Sequence, residues 1–89
     1  MASIEKIKAT IAEIAQRRKN TTASEIEWVV NQLAAQGHPV KARPTSDGVL
    51  YRVGRTRFGV CTHNRGAKQV KQCYVDDFLD AMIELGFYE

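Results

Sequence analysis

An α+β domain with the element order α-α-β-β-β-α, its three-stranded antiparallel sheet packed on helices, is the fold the sequence predicts. The hydrophobic period is helical as far as Gly37, alternates through the middle of the chain, and turns helical again near the end. Capping and turn residues stand at each change of period. With 89 residues there is material for one core, because a chain of this size hides only about 60% of its unfolded surface on folding. The expected organisation is one domain over 1–89, with an N-terminal helix within 1–19 and an α-β-β-β-α core over 20–89.

Ser3 can cap the first helix, in which Ile4, Ile7, Ile11 and Ile14 form one apolar stripe by their three-four-three spacing. Arg17, Arg18 and Lys19 fall in its last turn, where cations suit the negative end of the helix dipole. Thr22 and Glu25 make the S/T-x-x-E box that opens a helix. This second helix is expected over 23–36, with Ile26, Val29, Val30, Leu33 and Ala34 inward. Gly37 and His38-Pro39 end it, which makes His38 a helix-exit residue.

From here the period is two. Val40 and Ala42 alternate with Lys41 and Arg43 before Pro44, and Ser46-Asp47-Gly48 is turn chemistry. Val49, Tyr51 and Val53 alternate with Leu50 and Arg52, which places Tyr51 in the core. Gly54-Arg55 suits a two-residue hairpin loop. Phe58, Val60 and Thr62 alternate with Arg57, Cys61 and His63. The result is a meander with its arginines on the face opposite the apolar one. A polar loop from Asn64 to about Lys71 leads to the last helix, with Val75, Phe78, Leu79 and Met82 inward. Asp76 and Asp77 are expected in its first turn, and Gly86 closes it.

The net charge of +3 conceals a partition along the chain. Residues 1–40 carry five bases against four acids, and residues 41–71 carry eight bases against Asp47 alone. Residues 72–89 carry five acids and no base. A field of one sign over thirty residues points to an anionic partner, nucleic acid first. Lys41, Arg43, Arg52, Arg55, Arg57, Arg65, Lys68 and Lys71 are the candidate phosphate contacts, since a guanidinium fork donates two parallel hydrogen bonds to a phosphate. The acids of the last helix read as a solvated face.

For chemistry, His63 at the end of the third strand is the one candidate general acid or base. Cys61, His63 and Cys73 lack the paired spacing of a zinc site, so no metal and no cofactor is expected. Phosphate-binding glycine loops, nucleophile elbows and paired catalytic carboxylates are missing from the sequence. Two cysteines allow no disulfide scaffold beyond one bridge, and no apolar run approaches the roughly 18 residues of a membrane span. The start, MASIEKIKAT, has no signal-peptide apolar region, so the expected compartment is the cytoplasm, with no membrane partner.

The stretches LAAQGHPVKAR, VLYRVGRTRFGV and THNRGAKQVKQCYVDDFLDAMIELG, in this order, resemble the HicA family of toxin–antitoxin ribonucleases, which have a double-stranded-RNA-binding-domain-like fold. GAKQVKQ is also similar to the lysine-bearing helix start by which such domains hold phosphates. The resemblance covers essentially the whole chain and implies an RNA partner. The family's catalytic histidine belongs to a Gly-Ser-His at the first hairpin, and its place here falls at or near Gly48. What the resemblance implies is therefore RNA binding without cleavage. Two alternatives stand beside it: an endoribonuclease using His63, or a module that binds an antitoxin-like protein or a second copy of itself through the acidic helix or the isoleucine stripe.

Overall fold

The computed structural model describes residues 3–17, 20–45, 48–61 and 69–88. The elements are α1 (Ile4–Gln16), α2 (Ala23–Ala35), β1 (Val40–Pro44), β2 (Gly48–Val53), β3 (Thr56–Cys61) and α3 (Gln72–Leu85), in the predicted order. The sheet is antiparallel with β2 at its centre. One cluster of buried side chains draws on all three helices and on β2 and β3, so α1 belongs to the common core. Among the described residues no helix is long and apolar enough to cross a membrane.

Ser3 caps α1, its Oγ accepting from the Lys6 backbone N–H at 3.2 Å. Ile7, Ile11 and Ile14 are fully buried, whereas Ile4 is half exposed, because the first turn of α1 runs past the packed core. The helix also ends before the basic residues. Arg17 is its C-cap, and the Thr21 hydroxyl donates to the Arg17 carbonyl at 3.1 Å. Instead of lying along its own helix end, the Arg17 guanidinium donates twice to Glu25, at 3.0 and 2.6 Å. Arg18 and Lys19 lie outside the described residues.

Glu25 therefore joins two helices. Hydrogen bonds from Arg17, with smaller help from the Thr22 hydroxyl and backbone N–H, hold its carboxyl below the usual carboxylate range. This is the glutamate half of a capping box; the Thr22 hydroxyl turns to Glu25 and makes no bond to the backbone of α2. Ile26, Val29, Val30 and Leu33 are buried as expected, but Ala34 is exposed, since it lies about 100° round the helix from Leu33. Bonds of 3.1 Å from His38 N–H to Leu33 O and from Gly37 N–H to Ala34 O close α2 in a Schellman arrangement. His38 then packs edge-on against Phe87, 5.5 Å between ring centroids, which joins the ends of α2 and α3.

In the sheet, Tyr51, Val53, Phe58 and Val60 turn inward and are buried. Tyr51 stacks obliquely on Phe58 at 5.7 Å, and Phe58 meets Phe78 of α3 edge to face at 5.4 Å. Val53 and Thr56 face each other across a two-residue turn in which Gly54 alone has a positive φ, +59°. That is the geometry that matches the twist of a hairpin, and glycine adopts it without strain. β1 differs from its neighbours. Its Ala42, expected on the apolar side, is exposed along with Lys41, Arg43 and Pro44, because β1 meets the helices mainly through α2 and only its first residue, Val40, packs against the core.

The last helix begins at Gln72, three residues before its first buried residue, Val75. Asp76 and Asp77 thus occupy its second turn; the first turn holds no acid. What sets the start is a strap over residues 69–71 at the end of the expected loop. Val70 is buried and its N–H bonds the Thr21 carbonyl at 2.9 Å, while the Lys71 N–H bonds the Cys61 carbonyl at 3.1 Å. Gln69 bridges to Thr22. The strap therefore fastens the end of β3 to the beginning of α2.

Candidate nucleic-acid interface

Strand alternation places Lys41, Arg43, Leu50, Arg52 and Arg57 on the outer face of the sheet, all exposed. Register then puts Lys41 beside Arg52 and Arg52 beside Arg57, a row of three cations across three strands. Like charges at such spacing disfavour the empty face, and a bound anion relieves them. The neighbouring row runs from Arg43 to Leu50 to Gly59. Leu50 is 41% exposed among these cations. Together Lys41, Arg43, Leu50, Arg52 and Arg57 line a shallow groove of about 400 Å³.

Among the described residues, no carboxylate comes within 4.0 Å of Lys41, Arg43, Arg52, Arg55, Arg57 or Lys71. The one ion pair at that distance among the described residues is Arg17–Glu25, on the far side between α1 and α2. A second groove, of about 410 Å³, opens there beside Trp28. The arginine in it is already held by a carboxylate, so it offers an anion little.

Lys71 stands at the N-terminus of α3, where the unpaired backbone N–H groups and the absence of an acid in the first turn reinforce its charge. It is tied to Cys61, four residues along β3 from Arg57, or roughly 13 Å at strand rise. The cations thus mark both ends of β3. Of the remaining sequence candidates, Arg65, Lys68 and His63 lie outside the described residues.

Two features go beyond what the sequence pattern shows. Where β3 lacks a side chain, at Gly59, the ring of Tyr74 from α3 fills the place: a Cβ there would lie 3.6 Å from two of its ring carbons. A glycine inside a strand is a known sign of such close approach, and it is the one clue the sequence offers. The half-buried Tyr74 therefore lays its ring over β3 at Gly59, the residue paired with Leu50. Second, Asp77, Asp80 and Glu84, spaced three and four apart on one helix face, stand across a cleft of about 400 Å³ from Arg55 and Arg57. All three acids are exposed, as expected of a solvated face, and they also line this cleft.

Gly48 carries no chemistry and accepts none. It faces Cys61 at the start of β2, its N–H bonds the Thr45 hydroxyl at 3.1 Å, and its carbonyl accepts from the Thr45 N–H at 2.8 Å. A Cβ at this position would overlap the carbonyl oxygen of Val60. Any side chain here, a histidine included, requires β2 and β3 to separate. Cys61 is half-buried and Cys73 exposed, both as free thiols.

Comparisons with family models, with curated proteins and with solved structures give no match to this chain.

Proposed function

We propose that this protein binds nucleic acid, RNA in the first place, through the outer face of its sheet and the start of α3, without cleaving it. The observation that carries the reading is the row Lys41, Arg52 and Arg57 with Arg43 and Lys71 nearby, none of them neutralised by a carboxylate of the described residues. Guanidinium and ammonium groups in this arrangement track a phosphate backbone and release its counterions. Leu50 and the ring of Tyr74 add apolar and aromatic surface among the cations, which suits exposed bases.

Lack of cleavage rests on Gly48. The position at or near which the HicA-like resemblance locates a catalytic histidine is packed against the Val60 carbonyl, so the deficit is steric as well as chemical. Fluorescence anisotropy with labelled single- and double-stranded RNA at two salt concentrations tests the reading, the RNA being run on a gel afterwards. Binding that weakens steeply with salt and leaves RNA intact is expected. Cleaved RNA would return attention to His63, and no binding at low salt would overturn the proposal.

A further inference from the structure

The cleft between the β2–β3 hairpin and α3 has the wrong lining for a phosphate. Arg55 and Arg57 form one wall, and Asp77, Asp80 and Glu84 form the other. An anion drawn to the arginines would have to approach three carboxylates. Nor do the walls satisfy each other, since among the described residues none of these arginines and acids pair within 4.0 Å. A ligand suited to both walls presents acceptors to the arginines and donors to the acids. At about 400 Å³ the cleft falls within the range of small-ligand sites, roughly 300–1,000 Å³.

Resting on the nucleic-acid reading above, we infer that this cleft is a subsite for an unpaired guanine base, read by Arg57 and Arg55 on one edge and by Asp77 and Asp80 on the other. Guanine has O6 and N7 side by side as acceptors, which a guanidinium meets with two hydrogen bonds. Its N1–H and N2–H lie side by side as donors, which a carboxylate accepts in the same bidentate way. No other standard base offers adjacent pairs of both kinds. Both edges are open together only when the base is unpaired, the state in which proteins read RNA bases most directly. Tyr74 precedes Asp77 by one turn on the same face of α3, and its ring lies against Gly59, two residues along β3 from Arg57, outside the lining of the cleft.

The test compares a labelled oligouridine strand, the same strand with one central guanosine, and the same strand with inosine, which lacks the N2 amine, in its place. Anisotropy titrations at one low salt concentration give the affinities. The guanosine strand is expected to bind about tenfold tighter than oligouridine, the scale of one good bidentate pair, and inosine is expected to lose most of that gain. In Asp77→Asn/Asp80→Asn, whose altered side chains both line the open cleft, the guanosine preference disappears while oligouridine binds as tightly as before or tighter, because two repelling charges are gone. Equal wild-type affinity for the guanosine and uridine strands, or a preference that survives in the double variant, overturns the guanine site and leaves the phosphate face intact. Failure of the wild type to bind any of the strands overturns the nucleic-acid reading and this site with it.

Discussion

Removing charge from the sheet face alone is the sharpest test of where phosphate is held. Lys41, Arg43 and Arg52 are exposed, lie on β1 and β2, and take no part in the acidic cleft. Changing all three to glutamine keeps the side chains polar and disturbs no buried packing, so the melting temperature should stay close to that of wild type. For single-stranded nucleic acid each neutralised phosphate adds about 0.7 to the slope of log affinity against log salt. Leaving three phosphates without a cation should make the slope shallower by roughly 2.1. Over a fourfold rise in salt, from about 50 to 200 mM, wild type should therefore lose roughly 18-fold more affinity than the variant does. Only a difference of slopes is read, so any contribution of Arg55, Arg57, Lys71 or the residues of 62–68 cancels. Anisotropy titrations at four salt concentrations measure it. Parallel slopes would mean that the three cations meet no phosphate, and the outer face of the sheet would lose its assigned role even if the protein binds RNA elsewhere.

Packing at Gly48 predicts that Gly48→Ala costs about 1–3 kcal/mol in urea unfolding, the usual range for overpacking, and that Gly48→His yields no ribonuclease activity on a gel. Glu25 has its folded-state acidity raised by Arg17, so its contribution to stability is complete above the unfolded carboxyl value of about 4.3 and fades as pH falls through the lower folded value. Thermal melts of Glu25→Gln should accordingly run about 2–4 °C below wild type at pH 7, as for a solvent-accessible pair, and the gap should shrink steadily as pH falls below the unfolded value; a gap that stays constant on acidification would refute the ionic origin. Phe78 is fully buried against Phe58, and Phe78→Ala should cost about 3–5 kcal/mol, which circular dichroism would register as a chain unfolded or close to it at room temperature.

Much of this fold is legible because its elements are punctuated. Thr22 with Glu25, Gly37 before His38-Pro39, Gly54-Arg55 and Gly86 each carry a local rule, and α2, the hairpin and the end of α3 lie within a residue or so of where those rules put them. The misplacements have a common cause, which is tertiary structure that no short window contains. Ile4 matches its stripe in period yet is left half exposed by the described residues, and Ala42 alternates correctly on a strand of which only Val40 packs against the core. Where α3 starts depends on the Lys71 bond to Cys61 rather than on its own apolar residues. In the candidate site the cationic rows are readable from alternation alone. Tyr74 is not, since its ring crosses from α3 to a gap in β3, and the facing of the acids toward Arg55 and Arg57 depends on how the hairpin and α3 pack.

The bareness of β1 gives its cations a second duty. An uncovered outer strand offers unpaired backbone N–H and C=O groups to any other extended chain, and that is how sheets of separate molecules join edge to edge into aggregates. Lys41 and Arg43 make a second copy's identical strand a poor match, and Pro44 removes one donor from the line. Apolar residues at these positions would leave a flat, unguarded edge and would also remove the proposed phosphate contacts. Conversely, if nucleic acid lies across the face as proposed, it neutralises the charges that keep copies apart, so crowding of copies along one strand would bring their open edges together under the conditions least able to hold them separate.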